Sequence, residues 1–193
     1  MIRGVDTSRS SSAPLRDAFH LDASWLAGRI AESPALLGVT TSAAIFERTV
    51  PRAGLDQFAV LLFDPADGLR HVVEIQLGAA DEDQLIRALE LWAVERTRPN
   101  VDHRVTIAAE HIPARVARAA ALARALAPMD VVELQSEPTG NAVTVRGMAV
   151  ETPASGDPDN ELAFALRLRT FLGQLDPADP LRARLVGPPP GTL

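Results

Sequence analysis

The sequence predicts an α/β fold: a mixed sheet with helices on both faces, carried by residues 21–175. Two observations predict it. Apolar residues recur at three- and four-residue steps in some segments and run continuously in others, so the helix and strand periods alternate along the chain. Helical segments also separate apolar strand segments in the second half, which is the pattern of a right-handed crossover between parallel neighbours. At 193 residues the chain is long enough for one domain with a sizeable core. Residues 1–20 lack periodicity and are expected as a flexible arm. Residues 176–193, which end in GPPPGTL, are expected as a tail.

Each element has its own signal. Leu21, Trp25, Leu26, Ile30 and Ala31 mark a first helix, with Asp22 or Ser24 as its N-cap and Ser33-Pro34 as its stop. Three strands follow, over 43–50, 55–63 and 69–77. The last two are joined by Asp64-Pro65-Ala66-Asp67-Gly68, which has the chemistry of a tight turn. Short connections favour an antiparallel meander. The period then changes. Residues 81–98 form a helix with a Leu85, Leu89, Trp92 stripe, opened by acidic residues and closed by arginines as the helix dipole prefers. A strand over 102–109 and an Ala-rich helix over 113–127 follow. Strands over 129–135 and 142–150 flank a turn at 137–141. A polar linker over 151–160 leads to a last helix over 162–175.

Composition narrows the function. There is no cysteine, which removes disulfides and thiolate metal sites and makes a cytoplasmic setting the expectation. No apolar run approaches the roughly 18 residues of a membrane helix, and the N-terminus has no apolar signal segment. All 19 basic residues are arginine, so no chemistry here can use a lysine ammonium group. A formal net charge of -6 argues against a general nucleic-acid-coating surface. Phosphate-binding and nucleophile-elbow motifs are absent.

One strand is unusual. Residues 72–78 read VVEIQLG, so Glu74 and Gln76 share one face of an otherwise apolar strand. A buried carboxylate is costly without a partner. With the preceding turn centred at Ala66, Phe58 falls opposite Glu74 and Asp56 opposite Gln76. Asp56, Glu74 and Gln76 then converge on one face, conditional on that register. Two carboxylates there, with the Ile75 carbonyl, make an oxygen-rich site for a hard cation such as Mg²⁺. Such an ion activates water and offsets charge on a phosphate under attack.

A carboxylate at the start of the second strand and Glu-x-Gln in the third, within a helix–three strands–helix–strand core, resemble the PD-(D/E)XK nuclease superfamily. RIAESPALLG, the stretch from residue 53 to 96 and DHRVTIAAEHIPARV are similar to an uncharacterised bacterial branch of it. The resemblance covers roughly residues 22–135. It implies a restriction-endonuclease-like core (αβββαβ) with added C-terminal strands and helix. It also implies Mg²⁺- or Mn²⁺-dependent hydrolysis of DNA phosphodiesters. Asp56 and Glu74 take the metal-ligand positions. Gln76 stands where the superfamily usually has Lys, and Glu32 where many members place a further acidic residue. Arg87 is placed to point back at the site. Gln is neutral, so it can orient a water but brings no positive charge.

Other readings of the same residues stand beside these. Asp56 can be a solvated strand-entry carboxylate or a partner of Arg52, and Gln76 can simply bond Glu74. Glu32 can be a helix-surface residue. Arg87 can pair with Asp83 or Glu90 on its own helix. His103 and His111 lack zinc-ligand company, and His71 points away from the proposed site. The low bulk of the Ala-rich helix makes a homodimer plausible. The alternative function is a catalytically inactive nuclease-fold module used for binding or assembly.

Overall fold

The computed structural model describes residues 14–15, 19, 21–54, 56–98, 101–140, 142–151 and 158–175. Most of the expected arm and all of the expected tail lie outside them. Leu15, within the arm, is buried at 1% exposure.

Helix α1 (Ala23–Glu32) begins on Asp22, whose Oδ1 accepts from the Trp25 amide at 2.9 Å. That bond satisfies one of the amides a helix start leaves unpaired. The helix stops at Ser33 because Pro34 follows. A 3-10 turn, Pro34–Leu37, ends on Gly38 at φ 69°. Strands β1 (Ile45–Pro51), β2 (Gln57–Asp64) and β3 (Leu69–Ala79) form an antiparallel meander. Helix α2 (Glu82–Glu95) then carries the chain to β4 (Asp102–His111), which lies parallel to β3. Helix α3 (Ala114–Ala123) leads to β5 (Met129–Thr139), parallel to β4. Strand β6 (Ala142–Ala149) returns antiparallel, and α4 (Pro158–Gln174) follows. The six strands stand in chain order, β1 to β6.

This is the restriction-endonuclease-like order: helix, three strands, helix, strand, with added strands and a helix. The sheet separates two cores. On one face Leu61, Val72, Val105 and Ile107 pack under α2, α3 and α4. On the other Val60, Val73, Ile75 and Val132 pack under Leu26 and Ile30 of α1. The central strands are buried on both faces, which is why they read as apolar runs. The Ala-rich α3 buries Ala117, Ala120 and Ala123 in the first core, and α4 packs against it. Its small residues therefore serve contacts within the chain, which removes the reason for expecting a homodimer. No helix among the described residues is long and apolar enough to cross a membrane.

The register of the β2–β3 hairpin corrects the expectation by one residue. Asp64 pairs with Leu69, Ala59 with Glu74 and Gln57 with Gln76. The turn is therefore centred between Ala66 and Asp67. Asp64 belongs to the strand, because its carboxylate is buried and accepts from the Thr41 amide (2.6 Å), the Thr41 hydroxyl (2.8 Å) and the Ala66 amide (3.1 Å). Gln57, not Asp56, stands opposite Gln76.

Candidate functional site

Glu74 sits in the middle of β3 on the α2 face, and its side chain is fully buried. Two arginines hold it. Arg52, just past β1, donates from Nε to Oε1 (3.0 Å) and Oε2 (3.1 Å) and from Nη2 to Oε2 (2.5 Å). Arg87 of α2 donates from Nε to Oε1 at 3.2 Å. Arg52 reaches Glu74 because the residue between them is small. Val50, Ala59 and Glu74 lie in one row across the three strands, and Arg52 is two residues beyond Val50 on the same face. A fully buried carboxylate requires this kind of forked, charge-assisted pairing.

Gln76 is the next residue on that face and is 8% exposed. Its Oε1 accepts from Arg87 Nη2 (3.0 Å) and Gln57 Nε2 (3.3 Å). Its Nε2 donates to the Ala79 carbonyl (2.7 Å) and to Asp81 Oδ2 (3.2 Å). The bond to Ala79 depends on a bulge. The β3–β4 register shifts between Gln76 and Ala79, and Gly78 takes φ 82°, a conformation that glycine adopts without strain. Glu110 fixes the bulge by accepting from the Gly78 amide at 2.7 Å, while its other oxygen accepts from the Leu15 amide. Asp81 also caps α2 through the Gln84 amide at 2.7 Å. Gln84, fully buried, donates to the carbonyls of Glu74 and Ala108, both at 3.0 Å, and so clips α2 to both central strands.

The structure brings Glu74, Gln76 and Arg87 together. Of the two settings open to Arg87, the one facing the sheet is observed. Asp56 precedes β2 in a turn, where its carbonyl accepts from the Leu77 amide at 2.9 Å. The expected alignment with Gln76 is taken by Gln57. Ile75 is an interior ladder residue, opposite Phe58 and Ala108, with its side chain in the α1-side core. Glu32 is not part of the cluster. It sits on α1, across the sheet from α2, 66% exposed and paired with Arg29. Sequence reasoning missed Arg52 as the partner of Glu74, and Gln57, Gln84 and Glu110. The available signal for Arg52 was the small Ala59 beside a carboxylate that must be neutralised.

A divalent cation of the Mg²⁺ type needs several oxygen ligands converging on one point. Here both Glu74 oxygens are committed to guanidinium groups, and the Gln76 carbonyl oxygen accepts from a fourth guanidinium nitrogen. Among the described residues, no group of three His, Asp or Glu side chains is arranged to hold an ion. Two guanidinium groups occupy the Glu74 carboxylate that would have to bind the ion. These residues do not fit the metal that the resemblance implies.

The chain is similar to one solved structure, EndoMS in its apo form. The match has 19% identity and a TM-score of 0.47, and covers 60% of this chain. It spans 47%, about half, of the EndoMS chain. No protein-family model and no curated protein matches.

Proposed function

We propose that this chain is a nuclease-fold module that binds or assembles rather than cleaves. The single observation behind this is the Arg52–Glu74–Arg87 cluster. The sheet position that would carry a metal-ligating carboxylate has its carboxylate neutralised on both oxygens. The neutral Gln76, in a chain without lysine, supports the same reading. The test uses the full chain with supercoiled and single-stranded DNA in Mg²⁺ and in Mn²⁺. The expected outcome is no cleavage, and no calorimetric heat of ion binding that differs between the wild type and Glu74→Gln. Cleavage that Glu74→Gln and Asp56→Ala each abolish, with circular dichroism unchanged, would overturn the proposal.

One observation favours the second reading, metal-dependent hydrolysis of DNA by Asp56, Glu74 and Gln76. Asp56 lies immediately before β2, bonded through its carbonyl to the residue after Gln76, so a carboxylate-bearing turn borders the cluster. On that reading Arg52 has to leave Glu74 before an ion enters. Arg52→Met would then raise Mn²⁺ affinity. On the binding reading it only destabilises the fold.

A further inference from the structure

The molecule has a polar concavity on the face of the sheet opposite the Glu74 cluster. It measures about 350 Å³ and lies on the α1 face, near the starts of β4 and β5. Thr40, Thr41, Asp67, Arg104, Arg124 and Asp130 line it. They come from five places in the chain: the loop after the 3-10 turn, the β2–β3 turn, β4, the end of α3, and β5. None belongs to the Glu74 cluster. The volume falls in the range typical of small-molecule sites, about 300–1,000 Å³.

Each guanidinium has an anchoring contact, Arg104 to a lining carboxylate and Arg124 to the backbone. Arg104 Nη1 donates to Asp130 Oδ2 at 3.1 Å, and Arg124 Nε donates to the Met129 carbonyl at 3.0 Å. The Thr41 side chain is tied back to buried Asp64, which fixes the loop that forms one wall. Behind these groups lie polar atoms with no hydrogen-bond partner among the described residues. The Thr40 hydroxyl oxygen is buried and makes no hydrogen bond among the described residues. His71, 1% exposed, has no hydrogen bond at either ring nitrogen among the described residues. It is the register partner of Arg104 on the neighbouring strand, so the two side chains share the cavity face. Thr106, two residues beyond Arg104 on that face, is fully buried with its hydroxyl unbonded. Buried polar groups are ordinarily satisfied, and their concentration beside one concavity points to an occupant.

We propose that this cavity binds a phosphomonoester that also carries hydroxyl groups, of sugar-phosphate to nucleoside-monophosphate size. A phosphate dianion matches two preset guanidiniums, which offer forked donors. Asp67 and Asp130 repel a bare anion but accept hydrogen bonds from hydroxyl groups. The mixed lining therefore selects a ligand with both features.

The test is calorimetry and thermal shift on the full chain with ribose 5-phosphate, adenosine 5′-monophosphate, inorganic phosphate and adenosine. The first two bind and raise the melting temperature, and phosphate alone binds more weakly. Arg104→Met and Arg124→Met each reduce the affinity by about tenfold or more, the loss of a charge-assisted contact. Proton NMR of the wild type provides a readout that does not depend on a variant folding. The His71 ring signals move on titration with ribose 5-phosphate, while those of exposed His111 stay in place. Three results would each overturn the proposal: no phosphomonoester binding, inorganic phosphate binding as tightly as ribose 5-phosphate, or binding that survives in the folded Arg104→Met, Arg124→Met double variant.

Discussion

At the scale of single residues, charge burial dominates. Glu74→Gln leaves two partly buried guanidiniums facing a neutral amide, and breaking a buried pair in this way costs about 3–5 kcal/mol. Chemical denaturation should show a loss of that order. A double-mutant cycle with Arg52→Met should show that the two effects are not additive, because they remove one interaction. The histidines make a second expectation. Burial holds the pKa of His71 below its ordinary value, and Arg104 lowers it further against the opposing pull of Asp64, Asp130 and Asp67. Burial likewise lowers His103, with Arg70 and Arg98 acting the same way and the Val101 carbonyl and Glu95 opposing. A base with a depressed folded pKa takes up its proton more readily when unfolded. Stability is therefore complete above the ordinary histidine pKa and falls as pH drops through it toward the folded value. The melting temperature should fall between pH 7 and pH 5, and less steeply in His71→Leu. At this scale the sequence was legible wherever a residue type was out of place. Glu74 and Gln76 stood out in an apolar strand, and Arg87 lay one helical turn into the helix that follows. Arg52 was not legible, because its reach depends on a row across three strands. Nor was the hairpin register, because Asp64 looks like a turn residue until Thr41 is seen to satisfy it.

Between elements, backbone contact sets the tolerances. Strand β6 lies directly on the turn that follows α1. A methyl group on Gly147 would lie 2.2 Å from the Leu37 carbonyl oxygen and 2.7 Å from Val132 Cγ1. Both the backbone and a core side chain would have to move, so Gly147→Ala should destabilise by about 1–3 kcal/mol, the usual cost of overpacking. Thermal unfolding should show it, and Gly173→Ala, with open space around it, should not. The periods that set these elements were readable. The Leu85, Leu89, Trp92 stripe of α2 is buried as a stripe, and the Trp92 indole donates to the His103 carbonyl at 3.2 Å. The boundaries were less readable. Strand β5 runs on through Glu137 and Pro138, which look like a turn in sequence but pair with Thr144 and Val143 in an exposed hairpin. Helix α4 begins at Pro158, inside what reads as a polar linker.

For the whole molecule, the fold class followed from physics that operates along the chain: short turns between strands that pair antiparallel, and a helix wherever neighbours run parallel. The sheet carries two chemically different polar clusters, one on each face. One face holds the Arg52–Glu74–Arg87 cluster, and the other opens into the cavity of Arg104 and Arg124. The strand order has a consequence for how the molecule is made. Every strand lies beside the one preceding it in the chain, so no strand has to be inserted between two already paired. The sheet can grow from one edge in the direction of synthesis, each new strand closing a modest loop onto a finished edge. Short closures of this kind favour fast folding, and during growth only one edge, that of the newest strand, has to accept a partner.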